Sequence, residues 1–395
     1  MQNHESLNST VFVALISEIR RVGEEVIAPI AADVDEKSRF PAESIDALKG
    51  LKLLSAYVPE KQGGMGLNVV QIAKICEVLG HYCGSTAMIY AMHKIQVACL
   101  VHHAEQSSYI QLYLDNLISE QRLIASATTE IGIGGDLRSS ICAVESSGGM
   151  FDLVKKAPVI SYGVDADDLM VTARRHPDAA KSDQVHLLLH KEQYSLEQIS
   201  DWDALGFRGT CSAGFIVTAK GHDEQILPVP FADILSQTMH PFAHITWSAL
   251  WLGIAADAVN MARKFVKNEA KRNLEMPPIS AIRLGEVESV LQTMRNNVVV
   301  AVADYQNMLI KNDAEAFSNF GFGIRINNLK VTSSQLIVDV VGQAMLICGI
   351  SSYRNGTKFS LCRHLRDAYG AALMVNNDRI LLHNSTLLLM HKGDD

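Results

Sequence analysis

The stretch Arg366-Asp367-Ala368-Tyr369-Gly370-Ala371-Ala372-Leu373-Met374-Val375-Asn376-Asn377 decides how this chain is read. Asn376 or Asn377 is suited to cap a final helix, with Asp378 favouring its positive end. If the helix has already begun, Asp378 instead lies one turn along from Val375 on the same face, as a candidate base. Val375 itself cannot take a proton.

Bulk properties narrow the classes. A chain of 395 residues is long enough for two or three packed layers or domains. With 48% hydrophobic and 20% charged residues, it reads as an ordinary soluble protein and not a disordered one. The net charge is −8, no block of Lys and Arg dominates, and 6% aromatics leave little for base stacking, so no nucleic-acid role is expected. The segment 1–10 is polar, with no signal-peptide pattern. The longest apolar stretch, Leu336 to Ile350, is interrupted by Asp339 and Gln343 and reads as too short to span a bilayer, so no membrane insertion is expected. Seven cysteines without a CxxC pair read as reduced core residues of a cytoplasmic protein, with neither a disulfide set nor a metal site.

Three textures follow one another. Up to residue 121 the apolar spacing is helical: Val13, Ile16, Ile19 and Val26 share one face, as do Ile72, Ile75, Val78 and Leu79. Phe40-Pro41 and the Gly-rich run Pro59 to Gly66 interrupt it. Residues 122–232 carry short β-leaning runs: Leu123 to Thr129, Ala157 to Ser161, Leu169 to Ala173, Val185 to Leu189 and Phe215 to Thr218. Residues 233–395 return to long helices, Ala249 to Arg272, Ala281 to Ile310 and Ile324 to Ile350, separated by Pro277-Pro278 and Phe320 to Gly323. The fold class is therefore α+β, with the strands in the middle of the chain.

This layout and several local motifs resemble the acyl-CoA dehydrogenase family along nearly the whole chain. The resemblance implies an N-terminal helical domain, a middle β-barrel or sandwich domain and a C-terminal four-helix bundle. It also implies FAD bound between the last two, in a homo-oligomer (dimer or tetramer). Val58-Pro59-Glu60-Lys61-Gln62-Gly63-Gly64-Met65-Gly66 is similar to the family's Pro-Glu-x-x-Gly-Gly-x-Gly loop. Ala127-Thr128-Thr129-Glu130-Ile131-Gly132-Ile133-Gly134-Gly135-Asp136 resembles its flavin-contacting loop, with Ile131 for a proline and Gly135 for a serine. Exposed backbone N–H groups there suit a flavin edge or a phosphate. Val159-Ile160-Ser161-Tyr162 stands where the family has Trp-Ile-Thr/Ser-Asn, and Leu205-Gly206-Phe207-Arg208-Gly209-Thr210 resembles its Leu-Gly-x-Arg-x-Ser/Thr turn. The cofactor-binding residues implied are Ser126, Thr128, Thr129, Gly134, Gly135, Ile160 and Ser161. Gly349 joins them, in a segment that in the family meets a neighbouring subunit's FAD. The family's pyrophosphate arginine falls at Glu269, and Lys267, Lys271 and Arg272 are the substitutes at hand.

The same resemblance places a catalytic Glu eight residues after Asp367, where Val375 stands; in some relatives it lies on an earlier helix, which corresponds to Ala243. Asp378 and His244 are the candidate replacements. His240 lies four residues before His244, but the pair lacks the carboxylate a metal site would add. The activity implied is an FAD-dependent α,β-dehydrogenation of an acyl thioester with a relocated base, passing electrons to a transfer partner or to oxygen. Two alternatives stay open: a flavin monooxygenase, consistent with Val159 and Val375, and a non-catalytic binder of FAD or acyl thioester.

Overall fold

A computed structural model describes residues 9–271, 278–311, 314–317 and 319–390. Arg272, Pro277 and residues 1–8 lie outside the described residues. The chain opens with helices α1 (Thr10–Val22), α2 (Ala28–Lys37), α3 (Ala42–Gly50), α4 (Val69–Gly80), α5 (Gly84–His103) and α6 (Ser108–Glu120). The strands follow: β1 (Ile124–Ala127), β2 (Glu145–Ser147), β3 (Met150–Ala157), β4 (Asp168–Arg174), β5 (Gln184–His190), β6 (Tyr194–Ser200) and β7 (Gly214–His222). Helices then return: α7 (Phe231–Ile234), α8 (His240–Ala270), α9 (Ser280–Lys311), α10 (Ala314–Phe317), α11 (Phe320–Cys348), α12 (Ile350–Tyr353), α13 (Cys362–Leu373) and α14 (Asn377–Met390).

The strands form two sheets. One has the order β1-β4-β5, with β1 parallel to β4; the other is antiparallel, β2-β3-β7-β6. The central helix of the molecule is α8, which packs on α4, α5, α9 and α11. Its crossing with α4 is set by two glycines: a Cβ on Gly253 would fall 2.0 Å from the Glu77 carbonyl oxygen, and one on Gly80 2.3 Å from that of Leu250. Only hydrogen fits there, so the two backbones meet directly.

Several expectations need correction. Val13 is half exposed, and the buried face of α1 is Phe12, Ile19 and Val22. A π-turn at Gly23–Ile27 then shifts the period by one residue, so Ile27 is buried and Val26 only partly. The run Ala157 to Ser161 is not a strand: β3 ends at Ala157, because Pro158 has no N–H to continue the ladder. Strand β3 itself was hidden by its charges, since Lys155 points inward with Phe151 and Leu153. Strand β6 escaped because it is a polar edge strand, the usual defence of an open edge. Phe320 to Gly323 separates nothing; it is the first turn of α11, capped by Asn319. Counted at full length, α11 and the run Phe231–Ala270 are both long and apolar enough to cross a bilayer, but 94% of the latter's apolar window is buried inside the protein.

Candidate active site

A cavity of about 680 Å³ lies where the end of β1, the Trp202–Ser212 turn, α5, α8 and the α13–α14 corner meet. Its walls are mostly apolar, including Met88, Met92, Trp202, Phe207 and Leu373. One side carries hydroxyls and a glycine-rich loop; another carries imidazoles.

The hydroxyl wall is built by the sheets. Ser126 sits on β1; Thr128, Thr129, Ser161 and Gly135 line the same cavity. Thr129 Oγ1 donates to the Val159 carbonyl (3.3 Å). Ser161 Oγ accepts from Ser212 Oγ (2.8 Å), which leaves the Ser161 proton for a ligand. The loop after Thr129 is closed at its base by Glu130. That buried carboxylate accepts from Ser140 Oγ (2.8 Å) and from the amides of Ile141 (2.9 Å) and Cys142 (2.6 Å), and pairs with Lys155 (3.7 Å). The loop therefore projects Gly132, Gly134 and Gly135, all with positive φ, and their amides have no acceptor among the described residues. Such a nest of N–H groups receives anions or carbonyl oxygens. It fits a flavin with its phosphate: donors, a free hydroxyl and an open glycine surface face one chamber.

The imidazole wall belongs to α8. Ala243, His244, His240 and Trp247 line the cavity. His244 Nδ1 lies 3.3 Å from the Ile326 carbonyl, which can only accept, so Nδ1 carries the proton and Nε2 is the lone-pair nitrogen. His240 Nε2 donates to Asn327 Oδ1 (2.8 Å); Asn327 is oriented by its own Nδ2 donating to Asn384 Oδ1 (2.7 Å). The two rings lie 4.3 Å apart. Burial pushes the His240 pKa down to about 4 and that of His244 well below the usual histidine range, so both are neutral at pH 7.

The α13–α14 corner completes the chamber. Val375 lines it with φ +47°, a left-handed conformation that a β-branched residue rarely adopts. The corner is held by buried Lys330 on α11, whose Nζ donates to the Val375 carbonyl (2.8 Å) and to Asn377 Oδ1 (2.7 Å). Burial pushes the Lys330 pKa down to about 7. Arg366 pairs with Asp35. Asp367 is structural: its buried Oδ1 accepts from the Phe207 amide (2.6 Å), fastening α13 to the turn at Leu205–Thr210. Burial pushes its pKa up to about 6. The ionised form is thus penalised in the folded state. Stability from this group is full below the unfolded pKa near 4 and is lost as pH rises through about 6, by roughly 3 kcal/mol. In urea unfolding at pH 4 and pH 7, Asp367→Asn should gain on wild type by about that amount as pH rises; a constant difference would refute the assignment.

Both positions the resemblance gives for the catalytic carboxylate, Val375 and Ala243, are in the cavity wall, and no Asp or Glu is among its lining residues. Asp378 does not line it: the side chain is exposed in the first turn of α14, and Asn376 Oδ1 accepts from the Asp378 amide (2.8 Å). Gly134 stands in the loop just outside the lining, and Ile160 is buried behind Ser161 with its amide donating to Ala213 O (2.8 Å). Gly349, past the end of α11, is not part of this cavity. The sequence reading passed over Lys330 and Arg379. A lone lysine inside the apolar run of α11 was the available signal for the first. No local signal marked the second.

Four similarities to known proteins bear on this architecture. The family described as acyl-CoA dehydrogenase, N-terminal domain, matches residues 13–121. The probable acyl-CoA dehydrogenase FadE25 of Mycobacterium tuberculosis is 24% identical over 358 residues, covering 89% of this chain and 88% of its own. Butyryl-CoA dehydrogenase from Megasphaera elsdenii superposes with TM-score 0.83 at 20% identity, over 96% of this chain and 98% of its own. FMN-bound TdsC from Paenibacillus sp. A11-2, a dibenzothiophene monooxygenase, superposes equally well, with TM-score 0.83 at 16% identity over 96% of this chain and 98% of its own. The fold is therefore shared by proteins named for two different reactions.

Proposed function

Because the chain belongs to the acyl-CoA dehydrogenase family, we propose that it is a flavin-dependent oxidoreductase, with FAD as cofactor, that dehydrogenates an acyl thioester using His244 as proton acceptor. One observation supports this above the rest: a single chamber joins the hydroxyl and glycine wall to an imidazole whose Nε2 is unprotonated, while Val375 and Ala243 supply no carboxylate. When bound, the flavin supplies the hydride acceptor. The chain's own residues do the remainder. Thr129, Ser161 and the glycine loop hold the cofactor; Met88, Met92 and Leu373 exclude water from the acyl chain. His244 Nε2 takes the α proton, and the Ile326 carbonyl stabilises the imidazolium through Nδ1–H. Burial makes this a weaker base than a carboxylate tuned for the task, so slow turnover is expected. Exposed Leu346, Ile350, Leu382 and Leu389 support a homo-oligomer. Anaerobic mixing with a panel of acyl-CoA thioesters should bleach the flavin; no bleaching with any of them would refute the proposal.

A second reading, oxygenation by reduced flavin, is favoured by the carboxylate-free lining and by Val159, which leaves that edge of the chamber open. Labelled oxygen from O₂ appearing in the product would establish it; reoxidation without incorporation would oppose it.

A further inference from the structure

Arg379 lies in the first turn of α14 and lines the cavity. Its backbone amide donates to Asn376 O, but its guanidinium has no hydrogen-bonded or ion-paired partner among the described residues. It lies against the glycine loop: a Cβ on Gly135 would fall 2.3 Å from Nη1, and one on Gly134 3.9 Å from Nη2. Gly135 is thus the residue that makes room for this cation, and its φ of +81° disfavours any side chain there. No carboxylate among the described residues forms an ion pair with it. Asp136 Oδ1 accepts from the Arg138 amide (3.0 Å), and Arg138 Nη2 donates to His383 Nε2 (2.9 Å). The second contact also braces the loop, because His383 is one turn beyond Arg379 on α14. The guanidinium and Gly135, whose amide has no acceptor among the described residues, therefore share one edge of the chamber, with Gly134 just outside it.

Resting on the flavin reading above, we infer that Arg379 and the Gly134–Gly135 amides form the site for the phosphate on the flavin's ribityl chain, the group that FMN and FAD share and riboflavin lacks. A planar donor fork beside unpaired amides matches a phosphate's oxygens and charge. Gly135 stands where the family resemblance has a serine, so an arginine reaching across from α14 supplies the donor in its place.

The test is fluorescence titration of the full chain, stripped of flavin, with riboflavin and with FMN. Wild type should bind FMN about tenfold to hundredfold more tightly than riboflavin, Arg379→Met should abolish that preference while still binding riboflavin, and Arg379→Lys should keep part of it. Equal affinities in wild type, or a preference that survives Arg379→Met, would overturn the assignment while leaving the flavin reading intact. A variant that binds FMN normally but loses affinity for coenzyme A would also overturn it, by giving the cation to the thioester carrier. Failure of wild type to bind either flavin would overturn the functional reading itself.

Discussion

Val375→Glu is expected to raise the rate at which acyl-CoA reduces the flavin by about 10²–10⁴-fold, the range a positioned base contributes. The side chain at 375 already faces the chamber, 41% exposed, so a longer residue extends into open space and not into a packed core. The backbone is held independently of the side chain, by Lys330 on the Val375 carbonyl and by Asn377, whose Nδ2 donates to Ser334 Oγ (3.0 Å). The left-handed conformation should suit an unbranched glutamate better than valine. Stopped-flow reduction under nitrogen reads the effect directly. Ala243→Glu is the companion variant, since it reaches the same chamber from α8. If neither variant gains acyl-CoA-dependent reduction, the chamber does not seat a thioester, and the oxygenation reading takes over.

His244→Gln should do the opposite in the wild-type background, slowing anaerobic reduction by about 10²–10⁴-fold with little change in KM. Glutamine keeps approximate size and retains an N–H for the Ile326 carbonyl, so α8 and α11 should remain docked. What it loses is the lone pair at Nε2. The combination with Val375→Glu separates proton transfer from packing: the added carboxylate should restore the lost rate if the imidazole acted only as a base. Unchanged reduction by His244→Gln would remove His244 from the reaction and leave His240, 4.3 Å away, as the imidazole to test.

Much of the fold was legible because it rests on patterns that need no partner. The helical face Ile72, Ile75, Val78 and Leu79 is buried throughout, and the runs around β4, β5 and β7 are apolar enough to declare themselves. Two of the failures share one cause. Lys155 on β3 and Lys330 on α11 are charged residues inside the protein, satisfied by atoms distant in sequence: Thr172 and Glu130 for the first, Val375 and Asn377 for the second. Read locally, each looks like a surface residue, so the strand was missed and the clamp went unnoticed. The π-turn at Gly23–Ile27 is another case, since one inserted residue rotates every later side chain while leaving the composition helical.

The sequence alone determined the succession of a helical, a β and a second helical region, the glycine-rich loop after Thr129, and the fact that an aliphatic residue occupies position 375. These are properties of chemical identity and short-range spacing. Only the tertiary structure decided that Val375, Ala243 and His244 line one chamber, that Asp378 stands outside it, and that Arg379 lies over Gly135. Those relations span tens to hundreds of residues along the chain. They are set where α8, α11 and the α13–α14 corner pack together, and burial there, not residue type, decides which side chains stay neutral and which charge is left unpaired.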